Sequence, residues 1–198
     1  MLTPVHLAVE GVTDEPVVRR LLAEVGLPVG QVYGRGGKPL IDARLAKWNR
    51  AALWSPWFVL RDLDQDAECA PELKRRILPQ PSARMCLRIA VHSVEAWLPG
   101  DRERAARWLG VPSARIPRQP ETVRSPKLVL IELARASRRP EIRKDIVPRE
   151  SSTARVGPGY LGQIDEFMRD AWRPRTAAHH CPSLAGCLRA LERLAQAT

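Results

Sequence analysis

The chain has no long hydrophobic run, no paired CxxC, no internal repeat and no low-complexity tract. Without an apolar stretch of about 20 residues there is no candidate membrane span. The N-terminus MLTPVHLAVEG has neither a basic leader nor the apolar core of a signal peptide, so a cytoplasmic location is expected. Cys69, Cys86, Cys181 and Cys187 lack paired spacing and are expected to be free thiols in a reducing compartment. HHCPSLAGC does concentrate His179, His180, Cys181 and Cys187, but their spacing matches no zinc pattern. YGRGGKP is not a Walker A loop, because its upstream glycine spacing is wrong and Pro39 follows Lys38.

Carboxylates are also scarce relative to cations. Asp and Glu total 22 against 32 Lys and Arg, a formal charge of +10, which favours polyanionic partners such as nucleic acid. The arginines interleave with apolar residues, as in CLRALERLAQ, and read equally as solvated helix faces or as a binding surface. A chain of 198 residues, 44% hydrophobic, can bury a substantial core as one domain or as a core with an appendage.

Periodicity predicts an alternation of strand and helix. VHLAVEG is a short, nearly continuous apolar run, as expected of a strand buried on both faces. Thr13 is a candidate N-cap for a helix carrying Val17, Val18, Leu21, Leu22 and Val25 and stopped by Gly26, with Asp14 and Glu15 suited to its first turn. A brief strand at QVY, a helix through Leu40, Ile41, Leu45 and Trp48, a strand at WFVL and a helix at PELKRRIL follow. RMCLRIAVHSVEAWL begins as a strand and turns helical near Glu95. The expected fold class is α/β, with a mainly parallel sheet flanked by helices over residues 1–100 and a helical C-terminal extension over residues 101–198. In that extension PRESSTARVGPGYLGQ reads as a loop and PSLAGCLRALERLAQA as a final helix.

The chemistry concentrates in WFVLRDLDQD, where Asp62, Asp64 and Asp66 follow a buried strand. In an extended segment all three would project to one side, and a divalent cation is the simplest compensation for their repulsion. Ligands of parallel sheets collect beyond the carboxyl ends of the strands, where Glu10, the Asp62–Asp66 cluster and Glu95 are all expected. Each acid also has a plainer reading: capping or a solvated turn for Asp62 and Asp64, an arginine ion pair for Glu10. The glycines of YGRGGKP, with Arg35 and Lys38, suit a phosphate contact or a flexible turn. Lys127 in SPKLVL suits a phosphate contact or simple solvation, and Ser93 suits a cap on the helix carrying Glu95. Tyr160 in VGPGYLG sits either near a substrate or in a loop made tight by Gly and Pro. The six tryptophans offer stacking surfaces, though most follow core spacing.

VEGVTDEPVVRRLL followed by FVLRDLDQD resembles the TOPRIM domain, with a Glu-Gly after the first strand and an Asp-x-Asp after the third. HSVEAWL adds a Ser-x-Glu that resembles TOPRIM nucleases of the overcoming-lysogenisation-defect class. AVHSVEAWLPGD and GPGYLGQ resemble small TOPRIM-like bacterial proteins associated with mobile-element defence. The general resemblance covers residues 4 to about 100, and that to the small proteins nearly the whole chain.

It implies a nuclease acting on DNA or RNA with Mg2+ or Mn2+. Glu10, Asp62 and Asp64 would hold metal, Glu95 would complete a second site or orient water, and Asp66 would be a further ligand. Arg35, Lys38 and Lys127 would bind phosphate. No ATPase is visible in the sequence, so the resemblance implies a separate ATPase subunit as partner. The alternative is a non-catalytic nucleic-acid- or partner-binding subunit of a defence complex. A topoisomerase needs a positioned tyrosine and gating domains, primase needs absent modules, and the glycine that small maturases carry after Asp-x-Asp is missing.

Overall fold

The computed structural model describes residues 2–197. Four strands, β1 (Val5–Val9), β2 (Val29–Gly34), β3 (Trp57–Asp62) and β4 (Met85–Ala90), form one all-parallel sheet in the order β2-β1-β3-β4. They alternate with α1 (Asp14–Glu24), α2 (Gly37–Ala51) and α3 (Ala70–Ile77). The remaining helices are α4 (Arg102–Leu109), α5 (Pro126–Arg135), α6 (Pro140–Ile146), α7 (Tyr160–Asp170), α8 (Pro174–Ala178) and α9 (Pro182–Gln196). The architecture is the α/β class expected, a parallel sheet flanked by helices with a helical C-terminal part.

Contacts divide the chain into two units. The first comprises the residues up to Val94 together with Ser183 onward, and the second runs from Glu95 to Pro182. The division therefore falls before residue 100, and the final helix belongs with the sheet. Its Ser183 Oγ accepts the Val91 N–H at 3.3 Å, and a Cβ on Gly186 would stand 2.8 Å from Arg88 Nη2.

Within the first unit the connections explain the faces. Parallel crossovers are right-handed. Passing from β1 to β2 and then back beyond β1 to β3 therefore places α1 on one face of the sheet and α2 on the other. α3 continues in the second direction and shares the face of α2: Ile41, Leu45 and Trp48 of α2 and Leu73 of α3 pack in one cluster with Ala8, Trp57, Val59, Met85, Leu87 and Ile89. Residues alternate along each strand, so Phe58, Leu60 and Asp62 address the opposite face to Arg61. β1, β3 and β4 are buried almost throughout because both faces are covered, while edge strand β2 is only half-buried. Each Leu buried there, such as Leu7, Leu60 and Leu87, contributes roughly 1.5–3 kcal/mol.

The second unit is built on a buried ion pair. Asp101, fully buried, caps α4 by accepting the Arg104 N–H and receives Arg173 through Nε at 2.8 Å and Nη2 at 2.7 Å. The loop expected over residues 148–163 ends earlier, since α7 begins at Tyr160. Its Gly157 lies against α6, where a Cβ would stand 2.3 Å from the Asp145 carbonyl oxygen. That close approach accounts for the glycine. Trp48, Trp57, Trp97, Trp108 and Trp172 are buried as their spacing suggested, whereas Trp54 is 74% exposed. Among the described residues no helix is long and apolar enough to cross a membrane.

Candidate functional site

Because β2 and β3 leave β1 in opposite directions, the sheet has its topological switch between β1 and β3, where parallel sheets open a crevice at the strand ends. Glu10 follows β1 and Asp62 ends β3, and the two strands pair in register, Val9 beside Leu60. The Asp62 N–H donates to Glu10 Oε2 at 3.3 Å, and Asp62 Oδ1 accepts the Val94 N–H at 3.1 Å. These two acids, 52 residues apart in sequence, meet at one place.

The surrounding loops are stitched to the strand ends by backbone bonds. Arg35 N–H donates to the Val9 carbonyl at 2.8 Å and Gly37 N–H to the Glu10 carbonyl at 3.0 Å, which fixes the start of α2 beside Glu10. Gly34 makes this possible: its φ is +93°, and a Cβ there would stand 2.1 Å from the Val9 oxygen. Asp64 N–H donates to the His92 carbonyl at 3.0 Å. Arg35, Asp64 and His92 all have left-handed backbone, with φ of 62°, 45° and 54°, and each lies just beyond the end of a strand. Side chains in this conformation cost energy and concentrate at functional sites. Beyond β1 the turn is closed instead by Asp14, whose Oδ2 accepts the Gly11 N–H at 2.7 Å; Thr13 makes no side-chain capping bond.

The expected projection of three aspartates from one extended segment does not occur. β3 ends at Asp62, Leu63 turns into the core, and Asp64 takes left-handed backbone. Their charge is met by side chains. Lys38 Nζ lies 2.7 Å from Asp64 Oδ2 and 3.1 Å from Asp66 Oδ2. Arg61, 4% exposed, reaches Asp42 through Nε at 2.9 Å and Nη2 at 3.0 Å, and through Nη1 reaches both Asp66 Oδ2 and the Asp62 carbonyl at 2.8 Å. Burial alone would lift the Asp66 carboxyl, but hydrogen bonds from Lys38 and Arg61 outweigh it and hold the group below the usual carboxylate range. Glu10 goes the other way. Burial raises it, the Asp62 N–H opposes that, the Asp64 charge raises it further, and the more distant Lys38 and Arg61 do not reverse the result.

A hard divalent ion takes carboxylate oxygen, and Glu10 and Asp62 supply it at the switch. Glu10 carries its charge against burial and the Asp64 field, so a neighbouring cation suits its chemistry. Asp64 is shared with Lys38, and Asp66 is held from two sides, so the charge of Asp66 is accounted for without an ion. Among the described residues no three His, Cys, Asp or Glu side chains stand grouped as a cage for a metal, the His179–Cys187 segment included.

Each cation proposed for phosphate has a carboxylate partner. Arg35 pairs with Glu15, Lys38 with Asp64 and Asp66, and Lys127 with Glu95. In the second unit Glu95, 2% exposed, accepts Lys127 Nζ at 3.0 Å and Tyr160 Oη at 3.3 Å, while the ammonium sits 5.9 Å from the centre of the Tyr160 ring. Three residues read separately from the sequence thus form one cluster there.

Arg61 and Asp42 are the residues sequence reasoning missed. The available signal was a lone Arg inside the apolar run WFVLRD, since a buried guanidinium requires carboxylate partners. Comparison with family models, with curated proteins and with solved structures finds no match to the chain.

Proposed function

We propose that the chain is a nucleic-acid phosphodiester hydrolase working with Mg2+ or Mn2+, in which Glu10 and Asp62 would hold the ion and Asp64 would join them on release from Lys38. The reading rests on one observation above the others: Glu10 and Asp62 meet at the ends of adjacent central strands, at the switch of the sheet. When bound, such an ion supplies charge neutralisation at phosphorus and an activated water. The protein's own groups have distinct parts. Asp62 is oriented by the Val94 N–H and, through its own N–H, orients Glu10.

Lys38 is the exchangeable cation. Its side chain is 30% exposed and that of Asp64 is 44% exposed, and ion pairs of this kind are worth about 0–1 kcal/mol, so Asp64 can be given up to a stronger ligand. The released ammonium then stands beside the site as a phosphate contact. Its place in the first turn of α2 opposes the helix dipole, a cost its carboxylate partners offset at rest. Glu95, with Lys127 and Tyr160 on its carboxylate, is a candidate read on its own through Glu95→Gln. A separate ATPase subunit of a bacterial defence system is the partner the TOPRIM-like resemblance implies.

The test is cleavage of end-labelled single- and double-stranded DNA and RNA in Mg2+ or Mn2+, by the chain alone and with its partner. Asp62→Asn and Glu10→Gln are expected to lower cleavage by more than about 100-fold while the protein stays folded. Cleavage at the parental rate in Asp62→Asn overturns the assignment. A second reading, a non-catalytic binding subunit, is favoured by the way Lys38 and Arg61 already neutralise Asp64 and Asp66. It gains if calorimetry shows no Mn2+ uptake while nucleic acid still binds.

A further inference from the structure

The second unit contains a pocket of about 170 Å³, room for a small ligand, since a single water needs only about 10–15 Å³ on this measure. It lies between α4 and α7 and takes Arg104, Arg107 and Trp108 from the first and Phe167 and Asp170 from the second, with Arg139 closing it. Trp108 and Phe167 stack at 4.3 Å with their planes 7° apart, so one wall is flat, apolar and rigid.

Two donors on residues of this lining are unsatisfied. Arg104 Nε and Trp108 Nε1 are both buried and have no hydrogen-bond partner. Buried donors are ordinarily paired, and leaving one unmade costs about 1–3 kcal/mol. Two orphans on residues of one lining call for an acceptor from outside. Phe167 accepts nothing through its ring edge, and Asp170 is engaged by Arg169 Nε at 3.0 Å.

The remaining cations set the charge of that acceptor. Arg107 pairs with Glu103 at 3.0 Å and Arg139 with Glu141 at 2.7 Å, and all four side chains are at least 43% exposed, so both pairs are weak enough to exchange, while Arg139 Nη1 also donates to the Trp108 carbonyl at 3.0 Å and is held at the pocket. Glu166 is the other acid of the lining, against three guanidinium groups. A monocarboxylate has two oxygens and one charge for these donors. A phosphate monoester offers three oxygens and close to two charges, and guanidinium forks match it.

We infer that this pocket binds a small phosphorylated molecule, its phosphate taken by Arg104 with Arg107 and Arg139 and its body against the Trp108–Phe167 wall. The site lies wholly within the second unit and does not depend on the acids at the strand ends.

The test follows the indole N–H resonances of the full chain by NMR, with the Trp108 peak assigned through Trp108→Phe. Inorganic phosphate and adenosine monophosphate are titrated, with sodium acetate as the carboxylate arm. The Trp108 peak is expected to move saturably with both phosphates and more tightly with the nucleotide, while the other indole peaks stay in place and report an intact fold. Arg104→Gln is expected to weaken binding about tenfold or more, and Arg104→Lys, which keeps the charge but loses the Nε donor, to fall between. No saturable movement at millimolar phosphate or nucleotide overturns the inference. So do an equal response to acetate, a uniform drift of all six peaks, or undiminished binding in both Arg104 variants.

Discussion

Arg61→Met is the most direct perturbation of the charge network beneath the candidate site. The substitution roughly conserves length and apolar bulk, so its effect is chiefly the loss of a buried guanidinium making four hydrogen bonds, to Asp42 twice, to Asp66 and to the Asp62 carbonyl. Removing one partner of a buried ion pair costs about 3–5 kcal/mol. Here the low end applies, because the orphaned Asp42 and Asp66 side chains are 38% and 32% exposed and recover water. A loss of about 3 kcal/mol corresponds to a fall in Tm of roughly 6–12 °C for a chain of this size. Thermal unfolding followed by near-ultraviolet circular dichroism reads this, since Trp57 precedes Arg61 on the same strand and stacks on Trp48. Arg61→Lys retains charge without the planar fork and is expected to lose about half as much. A double-mutant cycle with Asp42→Asn isolates the pair, with a coupling of about 1–3 kcal/mol. A loss below about 1 kcal/mol for Arg61→Met, or no coupling to Asp42, refutes the view that Arg61 is the fixed internal cation.

Glu10 carries an opposite expectation. Its folded carboxyl sits above the ordinary 4.5, chiefly through burial, so the folded state holds that proton more tightly than the unfolded chain does. Stability from that form is fully present below pH 4.5 and is lost as pH rises through the raised value. Glu10→Gln fixes the neutral state and is expected to raise Tm at pH 7 even as it would lower the proposed cleavage; melts repeated down to pH 4 should show the gain vanish, and a lower Tm at pH 7 refutes the account. Asp66 has a depressed carboxyl, so its stabilisation is present above pH 3.8 and lost as pH falls through the lowered value, and Asp66→Asn should lower Tm at pH 7. Among the thiols, only Cys69 is exposed; burial pushes Cys86 up to about 11 and raises Cys181 and Cys187 as well. Titration of the native protein with a thiol-reactive chromophore should therefore modify one cysteine rapidly and the other three only on unfolding.

Most of the sheet was legible in the sequence for a physical reason. A parallel strand covered on both faces needs a short run of apolar residues without alternation, and VHLAV, WFVL and MCLRIA show it; helices between them show Val17, Leu21 and Ile41, Leu45, Trp48 at their own spacing. The return of α9 to the first unit was not legible. Its stripe of Leu184, Cys187, Leu188, Leu191 and Leu194 says that the helix buries one face but not against which unit. α6 and α8, of 7 and 5 residues, are too short for periodicity to register, and each starts at a proline that also reads as a turn.

At the site, spacing treats Asp62, Asp64 and Asp66 as equivalent, whereas the structure gives each a different electrostatic partner. Asp62 belongs to the strand and its carboxylate accepts the Val94 N–H; Asp64 lies on left-handed backbone and pairs with Lys38; Asp66 is held by Lys38 and Arg61 together. Lys38 comes from α2, 28 residues upstream of Asp66, and Asp42 comes from the same helix, 19 residues upstream of Arg61, and no local pattern links them. What links them is handedness. The crossover from β2 to β3 must lay α2 on the face toward which Arg61 points, and the Gly37 N–H bonded to the Glu10 carbonyl sets where that helix starts, so Lys38 arrives beside Asp64. The fold sets Arg61 and Lys38 against Asp66 and Lys38 against Asp64, while Glu10 and Asp62 meet each other at the strand ends, which is why those two are the sharper test of metal chemistry.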